Sequence, residues 1–284
     1  GGSFSCLDRD GSIYDGRKYV WMMGRQVWML SKLYRELEPR DEWLEAARIG
    51  MEFLERHAVR DDGQIWFSLA RDGRPGYCQR KPYSATFLAL ALNEYGRAVG
   101  DTARQRRARE LFAKIRDWIR HPEDLGRPAS SMSQLADIYV TAFLAGELGE
   151  PARFPACFEA LDQHFDGDVL RENANVADSP EARMFCPGSV FEISWILLPH
   201  APEPARLLAA VEKAHELGWD PEHGGYFYFM DLAGKPPALL EWPMKLWWVH
   251  VEALVVFAHA WRLTGEEKWL RRFQQIHDWA WPRF

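Results

Sequence analysis

The segment LEWPMKLWWVHVEAL at 240–254 holds the densest set of side chains able to do chemistry. On a helix, Lys245, Trp248 and Glu252 fall at spacings of three and four, so an ammonium, an indole and a carboxylate point together. Leu246, Val249, Ala253 and Val256 cover another face, and His250 lies between the two as an acid/base candidate or a hydrogen-bonded structural residue. Spacing alone also allows a plainer arrangement, with Lys245 and Glu252 solvated and the tryptophan in the core. A second stretch, KYVWMMGRQVWMLSKLY at 18–34, contains Tyr19 and places Trp21, Arg25 and Trp28 on one stripe. A guanidinium flanked by indoles would present fixed donors and permanent charge to a sugar oxygen or an enediolate, or would be a salt-bridged surface arginine. The third stretch is PGSVFEISW at 187–195. Its local chemistry reads as a capping box, with Ser189 as the helix N-cap and Glu192 reaching back to it. That reading does not explain why Glu192 and Trp195 share an otherwise apolar helix.

Aromatic content sharpens the question, because the chain carries 14 Trp, 16 Phe and 9 Tyr, several of them beside charged residues. Amphipathic rings next to polar groups are what a cleft uses to stack and hydrogen-bond a polar ligand such as a sugar. Other ligand classes fit less well. A net charge of −6 with one basic run, RQRRAR at 104–109, is no nucleic-acid footprint. Apolar runs such as FLALAL at 87–92 fall far short of the ~20 residues a membrane span needs. The nine histidines lack metal-ligand spacing, and Cys6, Cys78, Cys157 and Cys186 form no CxxC pair, so reduced thiols in the cytoplasm are expected. No Walker motif is present.

The elements that must position these residues are helices. Periodic apolar stretches predict about ten, over roughly 20–37, 41–57, 84–99, 101–119, 131–148, 151–164, 189–201, 204–217, 244–263 and 266–279. Glu38-Pro39, Gly100-Asp101 and Thr264-Gly265 punctuate them. Two segments alternate like strands, 65–75 and 224–236, the second predicting a β-hairpin. Helix pairs every 40–60 residues without self-similarity point to a closed toroid of helical hairpins rather than an open solenoid. With no linker to divide it, residues 1–284 are predicted to form a single all-α domain.

These segments resemble the N-acylglucosamine 2-epimerase family, also called the renin-binding protein family, over nearly the whole chain. GGSFSCLDRDG with KYVWMMGRQVWM carries the resemblance, as does GWDPEHGGYFYFMDLAGKP running into LEWPMKLWWVHVEAL. It implies an (α/α)6 barrel and a sugar epimerase or isomerase that removes the proton beside an open-chain carbonyl, passing through an enediolate. It also implies a mono- or disaccharide substrate, allows a homodimer, and allows ATP as an activator without a required cofactor. Matched position by position, Arg25 falls on the family's substrate-binding arginine, Glu192 and Trp195 on the carboxylate and indole after a PGH motif, and Trp248 and Glu252 on the late-helix pair.

Three departures accompany the match. The family's PGHxxE reads PGSVFE, so one of its two proton-transferring histidines becomes Ser189, whose hydroxyl is no base near neutral pH without an activating partner. The second histidine lies in an FHVPR-like motif beyond HDWAWPRF, and the first family helix precedes Gly1, so a barrel trimmed at both ends is expected. Ser84-Ala85 stands where the acylglucosamine enzymes carry Ser-Glu. The sequence therefore predicts an epimerase or isomerase with altered or impaired chemistry, in which Glu192, Glu252, His250 and Ser189 are the acid/base candidates and Arg25, Trp195, Trp248, Lys245 and Tyr19 the sugar contacts. A silent carbohydrate-binding or protein-interaction homologue is the alternative, and a glycoside hydrolase or lyase using Glu192 and Glu252 is the third reading.

Overall fold

The structure is a computed structural model that describes residues 1–128 and 132–284. Among the described residues it contains ten α-helices. They are α1 (Val20–Glu36), α2 (Asp41–His57), α3 (Tyr83–Val99), α4 (Thr102–Arg120), α5 (Leu135–Leu148), α6 (Phe154–Asp162), α7 (Pro187–Leu197), α8 (Pro204–Gly218), α9 (Trp247–Thr264) and α10 (Glu267–Ala280). Each coincides with a predicted stretch to within a few residues; Ser131, where the fifth was expected to begin, lies outside the described residues. The chain packs as two compact units, Gly1–Ser130 with Gly146–Glu150, and Ser131–Ala145 with Pro151–Phe284.

In the first unit α3 is the pivot. Every side chain from Ser84 to Gly96 is buried, as an all-round apolar helix requires. The α1 and α4 helices pack on it, and α2 packs on α1 through Ala47, Gly50, Met51, Phe53 and Leu54. Gly24 permits the α1–α3 approach, since a Cβ there would stand 2.7 Å from the Phe87 carbonyl oxygen. Glu94 is sealed inside α3 and survives there because Arg35 Nε donates to it at 2.7 Å and Arg97 lies at 3.2 Å. The α3–α4 corner follows its sequence signal: Gly100 closes α3 at φ 72°, and the Asp101 carboxylate caps α4 by accepting from Arg104 N–H at 3.0 Å.

The second unit is built on α7, which packs against α8 and α9. Its core is a run of rings: Phe191 meets Tyr226 at 4.9 Å and Phe257 at 5.7 Å, and Phe257 stacks on Trp269 at 5.9 Å. The hairpin expected over 224–236 does not form. Met230–Asp231 pairs instead with Met184–Phe185, because the intervening chain turns at Asp231–Gly234 immediately after the strand and has no second arm to pair with. Likewise Ser68–Leu69 pairs with Lys18–Tyr19. True hairpins occur at Cys6–Leu7 with Ile13–Asp15 and at Phe165–Asp166 with Val169–Leu170.

Gly24→Ala tests the α1–α3 contact. The obstacle is backbone carbonyl rather than a movable side-chain tip, so a loss of about 1–3 kcal/mol in urea unfolding is expected, against a helix-propensity gain of about 1 kcal/mol. A variant as stable as the parent would show that the helices are not in register at this point.

Candidate functional site

The α7 helix begins three residues earlier than a capping box at Ser189 requires. Pro187 occupies the first helical position, where its fixed φ is favourable and its missing N–H costs nothing, and the extended Cys186 is the N-cap. Ser189 is thus the third helical residue and caps nothing. Its hydroxyl lies against the fully buried Cys186 thiol, which burial first and Glu172 second push to a higher pKa. Along α7 every residue is buried except Ser189, Glu192 and Trp195, spaced by three, so these three form the helix's one open stripe. On α9 the half-buried residues Trp248, Glu252, Val255 and His259 form a matching stripe.

Two contacts join the stripes. Trp195 Nε1–H donates to Glu252 Oε2 at 2.6 Å, a charge-assisted bond. At the start of both helices Gly188 lets the Trp248 ring come so close that a Cβ would meet it at 2.6 Å. The Trp195 ring is fixed edge-on by Phe143 at 5.9 Å and is stacked by His259 at 6.2 Å. An indole held by a carboxylate on one edge and backed by two rings is a rigid platform for the apolar face of a sugar.

Two expected members of this group are placed elsewhere. Lys245 precedes α9, whose N-cap is Leu246, so it cannot share a helical face with Trp248 and Glu252. Its ammonium donates to Asp220 Oδ2 at 2.9 Å and lies 3.5 Å from the Phe227 ring centre. Asp220 also accepts from the N–H groups of Glu222 and His223, which makes Lys245 a loop anchor. His250 is completely enclosed: Nδ1 donates to the Leu246 carbonyl at 2.7 Å, Nε2 accepts the Tyr226 N–H at 3.0 Å, and its ring stacks on Trp279 at 4.6 Å. Both nitrogens are engaged by backbone, so neither is left for a proton on a sugar carbon.

In the first unit, Arg25 is half-buried with its guanidinium 5.7 Å from the Trp21 ring and 4.7 Å from the Phe87 ring. Its second aromatic flank is therefore Phe87 from α3, while Trp28 is committed elsewhere, donating from Nε1 to Glu147 at 2.8 Å beside the Lys32 ammonium at 2.6 Å. Tyr19 is the residue preceding α1, its ring edge-on to Phe67 at 5.6 Å. Ser84 and Ala85 are buried, and the Ser84 hydroxyl has no hydrogen-bond partner among the described residues. No group of three or more His, Cys, Asp or Glu among the described residues is placed to hold a metal ion, and the four cysteines are free thiols.

A family model described as N-acylglucosamine 2-epimerase (GlcNAc 2-epimerase) matches residues 2–140 and 159–284. The chain belongs to the N-acylglucosamine 2-epimerase family. It is 39% identical to the N-acylglucosamine 2-epimerase of Bos taurus and 36% identical to that of Homo sapiens, aligning over its whole length with 75% and 74% of those proteins. In fold it is similar to a D-mannose isomerase (TM-score 0.83, 16% identity, 99% of this chain and 81% of that one). It is also similar to the cellobiose 2-epimerase of Bacillus thermoamylovorans B4167 (TM-score 0.79, 19% identity, 98% and 80%). The fold class is accordingly that of the (α/α)6 sugar epimerases. Within this epimerase family pattern, sequence reading missed Phe143, Phe87, Glu147 and His259, all of which make their contacts through residues distant in the chain. Only the i+7 spacing of His259 from Glu252 was open to it.

The enclosed imidazoles leave a mark on stability. Burial lowers both His250 and His215 to about 4, the latter accepting the Tyr226 hydroxyl at 2.7 Å with Arg272 further opposing its protonation. An unfolded chain takes up both protons near the ordinary histidine value of about 6.5, so the neutral rings contribute fully above that pH and the contribution is lost as pH falls toward 4. The loss approaches ~3 kcal/mol per ring as an order of magnitude. Asp220, held down to about 2 chiefly by the Lys245 hydrogen bond, acts only below the ordinary carboxylate range, so the windows are distinct. Thermal melts between pH 7.5 and 4 should be flat above 7 and fall steeply between 6.5 and 4. A melting temperature unchanged to pH 4.5 would contradict the enclosed, neutral state.

Proposed function

We propose that the protein is a sugar 2-epimerase or aldose–ketose isomerase whose proton transfer is impaired at one step. The observation that carries the reading is the open stripe of α7 and α9, on which Glu192, Trp195, Trp248 and Glu252 stand half-buried, with Trp195 donating to Glu252. In this reading Trp195 and Trp248 stack the open-chain sugar, and Glu192 and Glu252 are the carboxylates available for acid/base work beside its carbonyl. Arg25 and Tyr19 are assigned sugar contacts by their place in the family pattern, Arg25 offering a guanidinium that its aromatic neighbours orient without neutralising.

The impairment follows from Ser189. Its neighbour Cys186 is held protonated by burial, so that thiol does not take the hydroxyl proton. That observation also favours a second reading, a carbohydrate-binding homologue that keeps the aromatic stripe and performs no proton transfer. The sugar acted on, activation by ATP and residence in the cytoplasm belong to the proposal too.

Incubation with N-acetylmannosamine, mannose or cellobiose in D₂O, with and without ATP, separates the two. Deuterium at C2 is expected to appear slowly, and Ser189→His, which restores an imidazole to the open stripe, should raise the exchange rate about 100-fold. Measurable sugar binding with no exchange in either protein would defeat the enzymatic reading and leave the binding one.

A further inference from the structure

The run GGYFYF at 224–229 holds two tyrosines with different fates. Tyr226 is fully enclosed; its hydroxyl is committed to His215 Nδ1 at 2.7 Å and its N–H to His250 Nε2 at 3.0 Å. Tyr228 is only half-buried, its backbone N–H donates to the Trp242 carbonyl at 3.1 Å, and its hydroxyl makes no hydrogen bond with any described residue. The phenol is nevertheless fixed in place. Its ring meets Trp248 edge-on at 5.9 Å and an interplanar angle of 89°, and Phe229 packs against it at 4.2 Å. Trp248 is the first member of the α9 stripe, and its six-membered ring rests on Gly188, the residue before Ser189. Packing therefore carries the Tyr228 ring to the end of the second unit where both open stripes begin.

An enediolate forming there needs a donor that stays protonated while negative charge grows on the former carbonyl oxygen. The Ser189 hydroxyl is already engaged with Cys186. Tyr228 meets the requirement. Burial first, then the neighbouring Cys186, Glu172 and Glu241, push its phenol up to about 12, so it is a donor and not a base at neutral pH. The same carboxylates leave the proton on the phenol rather than drawing it away.

We propose that the Tyr228 hydroxyl donates the hydrogen bond that holds the sugar's carbonyl oxygen as it becomes the enediolate oxygen, an assignment that rests on the epimerase reading above. Tyr228→Phe removes only the hydroxyl and keeps the ring on Trp248. Two probes read the effect by calorimetry without needing turnover: an aldonohydroxamate, whose planar anion copies the enediolate, and the corresponding alditol, which copies the open chain without it. The parent should prefer the hydroxamate. The variant should lose about 10- to 100-fold in hydroxamate affinity and less than about threefold in alditol affinity. Equal losses for both probes, or none for either, would overturn the assignment and make Tyr228 a packing residue. A parent protein with no preference for the hydroxamate would instead overturn the enediolate reading itself.

Discussion

The Trp195–Glu252 hydrogen bond is the interaction on which the second unit's open stripe depends. An indole N–H can only donate and a carboxylate can only accept, so the pair satisfies each group with the other at 2.6 Å and ties α7 to α9 across their half-buried faces. Without it, a half-buried carboxylate would lose a charge-assisted hydrogen bond that offsets part of its desolvation cost. With it, the charge is kept at a fixed place and the indole plane is kept beside it. The first unit uses the same chemistry where Trp28 donates to Glu147, there with the Lys32 ammonium as a second donor. That cation lies 2.6 Å from the Glu147 carboxylate.

Around that bond, enclosure has been used to fix groups rather than to activate them. His250 and His215 are buried, neutral and bonded through backbone or tyrosine, and Lys245 is turned to Asp220 and laid on Phe227. These residues hold the 218–228 segment against α8 and α9, and that segment in turn presents Tyr228 to Trp248. Residue types that read as catalysts in the sequence act here as the scaffold that lets a tyrosine and two tryptophans stand still.

Much of the fold was legible because helix periodicity and turn chemistry are local. The α2 and α8 boundaries, and the Gly100-Asp101 corner, follow from patterns within a few residues. What was not legible depended on partners far along the chain or on a competition between local signals. At 187–192 two valid start signals competed, a proline at the first helical position and a serine with glutamate three residues on, and the proline won because it presets φ before any side chain can bond. Lys245 was placed on α9 by spacing that holds only inside a helix, and the helix starts two residues later. His250 could not be assigned from sequence because its role is decided by Tyr226, a residue 24 positions away. The stripe of Glu192, Trp195, Trp248 and Glu252 was found because the i, i+3 and i, i+4 rule applies once the helices are right.

Ser189 shows how likeness of fold and the proposed chemistry rest on different positions of α7. The position is the third residue of α7, on the open stripe, where the side chain neither caps the helix nor fills the core. The buried side of the helix is carried by Val190, Phe191, Ile193 and Ser194. In the proposed reading a proton transfer depends on what stands at 189, since a hydroxyl beside a thiol that burial holds protonated gains no base from it. The proposed chemistry would rest on the three open positions of that eleven-residue helix and their neighbours on α9.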